Sequence, residues 1–93
     1  MAMTRKMLTA LAEALVSVKS IEEMENFLHE LLTPCELRDI TLRWQLLERL
    51  ANGETQRKIA DDLQISLCKI TRGSRILKKQ GSVCAQMLKA RTK

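Results

Sequence analysis

The sequence has little of the residue types from which metal sites and catalytic centres are usually built. It contains one histidine, three cysteines without a C-x-x-C pair, and no tyrosine. His29 cannot complete a zinc site with Cys35, Cys68 and Cys84 at any familiar spacing, so we predict no metal, and we expect the cysteines to be reduced thiols in the core. Without paired carboxylates across a recognisable pocket or a glycine-rich phosphate loop, an enzyme is the least favoured class of protein.

Long apolar stretches and aromatic platforms are scarce as well. No apolar run approaches the roughly 20 residues that cross a bilayer, and residues 1–6 are not followed by a signal-peptide core. We therefore predict a cytoplasmic protein without a membrane partner. One Phe and one Trp are too few to stack the bases of single-stranded nucleic acid. Because alternating β-branched runs are also absent, the core must be built from aliphatic side chains on helices, which predicts an all-α fold.

Residues 56–79, with the sequence QRKIADDLQISLCKITRGSRILKK, are predicted to form a helix-turn-helix. Ile59 and Leu63 lie one helical turn apart, and we expect both to pack on Ile70. Residues 64–66 form the predicted turn, and the serine at its end is a plausible cap for a second helix.

Positive charge is concentrated on this segment. Residues 1–55 carry six basic and nine acidic side chains, whereas residues 56–93 carry ten basic and two acidic side chains. Phosphate is the natural counterpart of such a surface, so we predict that the segment binds double-stranded DNA. A soluble helical hairpin with a basic exterior is the alternative interpretation.

With the helices predicted in the rest of the chain, we expect six helices in a single domain of residues 1–93. The predicted helices cover residues 4–18, 21–32, 34–52, 56–63 and 67–79 and a segment that begins after residue 82. Capping boxes mark two of the starts, one at Ser20 with Glu23 and one at Thr33 with Glu36. In each box the hydroxyl accepts an amide N–H, and the glutamate reaches back to the amide of the cap residue. Gly53 is expected to end the third helix.

Each of these helices has apolar positions that we expect to be buried. They are Met7, Leu8, Leu11, Ala14, Leu15 and Val18 in the first helix, Ile21, Met24, Phe27, Leu28 and Leu31 in the second, and Val83, Cys84, Met87 and Leu88 in the last. The apolar residues of the third helix occupy more than one face, which is more than the neighbours in one such chain could cover. This excess predicts a homodimer with the third helix at its centre.

Four short segments carry a resemblance to a known family. They are LLTP at residues 31–34, RWQLLERLANGE at 43–54, QRKIADDL at 56–63 and ITRGS at 70–74. In these segments the chain resembles the bacterial tryptophan repressor family. The resemblance implies an intertwined, six-helix, all-α homodimer with a helix-turn-helix DNA-reading head. It also implies that L-tryptophan binds as corepressor and that the protein then occupies a palindromic operator of tryptophan-related genes.

The resemblance further implies which residues bind the corepressor. The implied ligand set is Arg43, Arg72, Gly73, Thr33, Leu32 and Glu30. The indole would lie between the two arginines, and Arg72 would pair with the carboxylate. Gly73 would leave room for the ring, and Thr33 with the backbone carbonyls around the other two residues, from the partner chain, would receive the ammonium. An alternative is that Arg43 is a surface residue paired with Glu48 or Asp39.

Two departures from the family matter, the first for the ligand site and the second for the placement of the DNA-reading head. Ile76 stands where the family has a serine that hydrogen-bonds the ligand's ammonium, and the segment before Gln56 is one residue shorter. Loss of the serine acceptor is expected to weaken binding by about 0.5 to 1.5 kcal/mol if no other oxygen or water replaces it. It could also change which amino acid or indole is preferred.

For DNA, the resemblance implies contacts from the starts of both motif helices and a phosphate contact near the end of the second. The implied residues are Gln56, Arg57, Leu67, Cys68, Lys69, Thr71 and Lys78. Two other classes of protein remain open. A ligand-independent helix-turn-helix protein, similar to the DNA-reading region of a sigma factor, would bind its operator regardless of tryptophan. A helical dimerisation module with an incidental basic end would bind all DNA weakly.

Overall fold

A computed structural model describes residues 2–91, and over that range the chain forms six α-helices and no strand. The helices are α1 (Arg5–Ser17), α2 (Ile21–Leu31), α3 (Pro34–Ala51), α4 (Gln56–Leu63), α5 (Leu67–Lys78) and α6 (Val83–Arg91). The prediction of six helices in an all-α fold is confirmed, and each predicted boundary lies within one residue of the observed one. The chain divides into two compact units, Met1–Leu37 and Arg38–Lys93.

In the first unit, side-chain caps set where the helices begin. The Ser20 hydroxyl accepts the Glu23 amide at 3.0 Å and thereby begins α2, as predicted. The Glu23 carboxylate, however, accepts the amide of Lys19 at 2.9 Å and not that of Ser20. This half of the predicted capping box was therefore wrong by one residue.

The capping box at the start of α3 has the predicted reciprocal geometry. The Thr33 hydroxyl accepts the Glu36 amide at 3.1 Å, and the Glu36 carboxylate accepts the Thr33 amide at 2.9 Å. Pro34 occupies the first helical position, where a missing N–H costs nothing. The start of α3 is therefore held by two local hydrogen bonds between Thr33 and Glu36.

The predicted buried faces of α1 and α2 are at most partly buried in the single chain. The partly buried residues are Ala14, Leu15, Val18, Met24, Phe27 and Leu28. Neither helix has a fully buried side chain. Exposed apolar residues include Met7, Leu8, Leu11, Ile21 and Leu31, and Ile21 is 79% exposed. The physical reason is that a unit of two short helices and one helical turn has too little chain to enclose a core.

The second unit has a small core where α4 and α5 meet α3. Ile59 and Ile70 are both 0% exposed, and Leu46 of α3 completes the cluster. Leu63 packs against this cluster, as predicted, together with the partly buried Leu50, Ala60 and Ile65. The small Ala60 side chain lies at this contact, where it lets α4 and α5 approach.

The turn between α4 and α5 uses the predicted residues. Gln64 adopts the left-handed conformation (φ 54°, ψ 49°) and ends α4, and the Ile65 amide donates to the Ala60 carbonyl at 3.3 Å. The Ser66 hydroxyl then accepts the Lys69 amide at 3.3 Å and begins α5. The helix pair is thus held by local hydrogen bonds on both sides of the turn.

Gly53 ends α3 in the left-handed region, as expected, with φ 85°. The Gly53 amide donates to the Leu50 carbonyl at 3.0 Å, and the Glu54 amide donates to the Arg49 carbonyl at 3.2 Å. These two bonds form the common glycine-terminated helix end. Thr55 then caps α4 by accepting the Lys58 amide at 3.2 Å, so the connection contains almost no unconstrained chain.

Two expectations were wrong in part: the buried face of α6 and the burial of the cysteines. Val83 and Met87 of α6 are 67% and 52% exposed, because this helix packs on the rest of the unit through the side that carries the buried Leu88. Cys35 and Cys68 are exposed as well, since each is the second residue of its helix and precedes the part that packs. Cys84 is partly buried.

Replacing Ile70 by alanine is expected to destabilise the fold by about 2 to 5 kcal/mol, because it empties the centre of the core cluster. Leu67→Ala on the same helix is the control, since that side chain is 59% exposed and its removal should cost no more than about 0.5 kcal/mol. Urea unfolding at one fixed protein concentration measures both values. Similar destabilisation in the two variants would contradict the assigned core.

Candidate ligand cavity and nucleic-acid interface

A cavity of about 110 Å³ lies between α3 and α5 in the second unit. Its wall is formed by Asp39, Leu42, Arg43, Leu46, Ile65, Lys69, Arg72, Gly73 and Ile76. The four residues from α3 and the four from α5 each follow the i, i+3, i+4, i+7 spacing of a single helix face. Two helix faces and the residue at the α4–α5 turn therefore enclose the space.

At Gly73 the backbone of α5 lies against leucine side chains of α3. A Cβ atom at this position would lie 3.1 Å from Leu46 Cδ2 and 3.3 Å from Leu50 Cδ1, which is tighter than ordinary side-chain contacts. The missing side chain therefore allows the two helices to pack closely. The space next to Gly73 is filled by leucine side chains from α3, and the role predicted for this glycine, making room for a ligand ring, stays a prediction.

The cavity brings together three of the residues predicted to bind a ligand, namely Arg43, Arg72 and Gly73. Both arginines are exposed, and neither forms an ion pair with any of residues 2–91. The alternative pairing of Arg43 with Glu48 or Asp39 is therefore not formed within that range. Two guanidinium groups are left available beside an aliphatic floor.

The other three predicted ligand residues, Glu30, Leu32 and Thr33, belong to the first unit, at the α2–α3 junction. The Glu30 carbonyl lies four residues before Pro34, which has no N–H to donate. The Leu32 carbonyl lies four residues before Glu36, whose amide is donated to the Thr33 hydroxyl instead. Both carbonyls thus lack their usual helical donor, which is the feature that the sequence interpretation required.

All seven residues predicted to contact DNA have exposed side chains. Gln56 and Arg57 form the first turn of α4, and Leu67, Cys68 and Lys69 form the first turn of α5. Lys69 also belongs to the cavity wall, which the sequence interpretation did not foresee. The start of α5 therefore takes part both in the exposed basic surface and in the wall of the cavity.

An ion-pair cluster at the end of α3 was missed from the sequence. Arg49 donates to the Glu54 carboxylate from Nε at 2.8 Å and from Nη2 at 2.6 Å, and its Nη2 also lies 2.6 Å from Asp62 Oδ2. The cluster ties the end of α3 to the following loop and to α4. Arg49 and Glu54 are five residues apart, which is not a helical contact spacing, and they meet only because the chain reverses at Gly53.

These hydrogen bonds perturb all three groups. The bonds from Arg49 hold the pKa of Glu54 and the pKa of Asp62 below their ordinary values. The same bonds, to Glu54 first and Asp62 second, raise the pKa of Arg49 above its usual range. The cluster is therefore fully charged at neutral pH and positions α4 electrostatically against α3.

Two further features concern the residues that the structure describes. Residues 2–91 contain no group of three or more His, Cys, Asp or Glu side chains arranged to hold a metal ion. Within the same residues, no helix combines the length and the apolar character needed to cross a membrane.

Over residues 2–91 the chain is helical and combines the exposed basic α4–α5 pair with a cavity bordered by charged side chains. The sequence model named Trp repressor protein matches residues 6–92. The chain therefore belongs to the Trp repressor family, as its resemblance predicted. This is a family of DNA-binding regulators and not of enzymes.

Relatives from two bacterial genera support this assignment. The chain is 37% identical over 71 residues to a Trp operon repressor homolog of Chlamydia trachomatis serovar D. The aligned region covers 71% of this chain and 76% of that protein. It is 34% identical over 80 residues to a Trp operon repressor homolog of Vibrio parahaemolyticus. This alignment covers 85% of this chain and 78% of that protein. No solved structure is significantly similar to the chain.

Arg49→Gln should reduce the dependence of stability on pH. A carboxyl group with a depressed folded-state pKa contributes stability that is complete above its unfolded pKa of about 4 and is lost as the pH falls through the folded value. Wild-type protein should therefore be more stable than the variant at pH 7, and the difference should shrink below about pH 4. Urea unfolding between pH 7 and pH 3 measures this difference.

Arg43→Gln is the matched control, because Arg43 has the same charge, lies on the same helix and forms no ion pair with residues 2–91. Its stability should follow the wild-type dependence on pH. A difference between Arg49→Gln and wild type that stayed constant from pH 7 to pH 3 would contradict the assigned cluster.

Proposed function

We propose that this protein is a transcriptional repressor that binds L-tryptophan as corepressor and then, as a homodimer, occupies a palindromic operator of tryptophan-related genes. The single observation that carries the proposal is the cavity between α3 and α5, whose wall contains both Arg43 and Arg72. Membership of the Trp repressor family supports the same conclusion.

The wall of the cavity suits an aromatic amino acid. Its apolar residues, Leu42, Leu46, Ile65 and Ile76, offer an aliphatic surface on which a ring is shielded from water. The planar guanidinium groups can stack on the faces of a ring, and Arg72 can form a charge-assisted, bidentate pair with a carboxylate. An indole with a carboxylate matches this combination of surfaces.

A second copy of the chain would complete both the fold and the ligand site. The apolar side chains that α1 and α2 expose in the single chain form surfaces that soluble monomers rarely leave uncovered. In the dimer, Thr33 and the carbonyls of Glu30 and Leu32 from the second copy would contribute acceptors for the ligand. The dimer would also present two α4–α5 pairs to a two-fold symmetric DNA site.

The α4–α5 pair supports DNA binding as a helix-turn-helix. Its two helices are held by the Ile59 and Ile70 contact, and the first turns of both expose the residues predicted to contact DNA. The segment of residues 56–79 carries seven basic and two acidic side chains, which favours contact with phosphates. In this interpretation α5 would enter the major groove, as the second helix of such motifs does.

One helix connects the two activities. Arg72 and Gly73 of α5 line the cavity, while Leu67, Cys68 and Thr71 of the same helix face solvent. A ligand wedged between α3 and α5 would set the orientation or the stiffness of α5 and therefore its fit to DNA. By thermodynamic linkage, tryptophan must then increase DNA affinity by the factor by which DNA increases tryptophan affinity.

Thermal unfolding with the twenty amino acids and a set of indole derivatives tests the ligand. L-tryptophan at 100 times its dissociation constant should stabilise the wild-type protein by about 2.7 kcal/mol. Arg72→Leu should abolish this stabilisation. Arg75→Leu is the control, because it removes the same charge from an exposed position of α5 that is not in the cavity wall, and it should retain the response.

The result also separates the proposed function from its main alternative. Stabilisation by L-tryptophan that survives in Arg72→Leu would remove this residue from the site. If none of the compounds stabilised the wild-type protein, the ligand-independent helix-turn-helix interpretation would replace the proposal. Stabilisation by a different compound alone would retain a ligand-controlled repressor and change its ligand.

Operator binding can be tested by selecting duplexes from a random-sequence pool with and without L-tryptophan and measuring affinities for the selected site. Lys78→Ala should weaken binding to every duplex, and it should reduce the slope of log affinity against log salt by about 0.9 for each phosphate that the protein no longer neutralises. Lys19→Ala, an exposed lysine between α1 and α2, should leave the slope unchanged. Equal slopes for wild type and Lys78→Ala would contradict the proposed phosphate interaction.

A further inference from the structure

The cavity wall contains one acidic residue among three basic ones, and this residue suggests how the ligand's amino group is recognised. We infer that the Asp39 carboxylate binds the ammonium of the ligand and so makes the cavity selective for an α-amino acid over a carboxylate without an amine. This inference rests on the proposed function, because it concerns the same site. It assigns a specificity-determining role to a residue that stood in the sequence interpretation only as an alternative ion-pair partner of Arg43.

Asp39 is placed where it can meet a ligand that also contacts the two arginines. It lies one helical turn before Arg43 on α3, so both side chains leave the same face of the helix and border the same space. Arg72 borders this space from α5. An acid and a pair of arginines in one cavity can together meet the two opposite charges of an amino acid.

The Asp39 carboxylate is also available to a ligand. Although Arg43, Lys69 and Arg72 share the cavity wall with it, Asp39 forms no ion pair or side-chain hydrogen bond with any of residues 2–91. Its acceptor sites are therefore open towards a ligand. The exposed side chain is free to adjust its rotamer to a bound ammonium.

No other side chain of this wall can accept a hydrogen bond from an ammonium. The remaining members are Leu42, Leu46, Ile65, Gly73 and Ile76, and none of them has a polar side-chain atom. Three cations without a carboxylate would repel an ammonium and would favour a simple anion. Asp39 supplies the one negative charge that offsets the three positive charges of the wall. Neutral acceptors from a second copy would leave the net charge of the wall unchanged.

The test compares L-tryptophan with indole-3-propionate, which has the ring and the carboxylate but lacks the amine. Isothermal titration of the wild-type protein and of Asp39→Asn measures both affinities. The variant keeps the size of the side chain but loses its charge, so its affinity for L-tryptophan should fall about ten- to hundredfold, the usual effect of a charge-assisted hydrogen bond. Its affinity for indole-3-propionate should be retained or increased, because a negative charge near the ligand's carboxylate has been removed.

Glu48→Gln is the matched control, since it neutralises another acid of α3 that is not in the cavity wall, and both affinities should stay unchanged. Asp39→Glu should recover part of the selectivity that Asp39→Asn loses. If Asp39→Asn left the ratio of the two affinities unchanged, the inference would be overturned and the proposed function would stand. If neither ligand bound the wild-type protein, the proposed function would fail and the inference with it.

Discussion

The packing of Gly73 on the leucines of α3 is the constraint that links α5 to the core and to the cavity of the second unit. Because this position has no Cβ, the leucines of α3 lie directly against the backbone of α5. The same approach brings Leu46 into the cluster with Ile59 and Ile70, so the α4–α5 pair shares its core with α3. Beside this contact the same two helices line the cavity, and Leu46 and Gly73 belong to both.

The second unit contains arginines of two kinds, one kind paired with carboxylates and the other unpaired within residues 2–91. Arg49 is satisfied by Glu54 and Asp62, and the resulting cluster anchors α4 to the end of α3. Arg43 and Arg72 are not satisfied within residues 2–91, although Asp39 shares the cavity wall with them. Charges that are paired hold the helices in position, whereas charges left unpaired in a cavity are available to a ligand. The proposed repressor requires both, because a ligand can orient α5 only if the rest of the unit is firmly placed.

Prediction from the sequence succeeded for the hydroxyl caps at which helices begin. The helix starts at Ser20, Thr33 and Ser66 depend on a hydroxyl and an amide three residues apart, so the residues themselves contain the signal. Prediction failed where burial depends on distant parts of the chain. Val83 and Met87 have apolar side chains at helical spacing, but that spacing does not reveal which side of α6 meets a neighbour. For the cavity wall, the resemblance pointed to Arg43, Arg72 and Gly73, and it did not indicate that Asp39 and Lys69 line the same space.

The sequence by itself determined the six helices, their caps and the concentration of positive charge after residue 55, because each follows from residues that are close neighbours along the chain. Only the tertiary structure decided which side chains share a cavity and which ions pair. Asp39 and Lys69 are thirty residues apart, and they border one space because Gly73 lets two helices come together. Arg49 reaches Asp62 because the chain reverses at Gly53. Such contacts depend on how helices pack in three dimensions, which residue spacing along one helix does not specify.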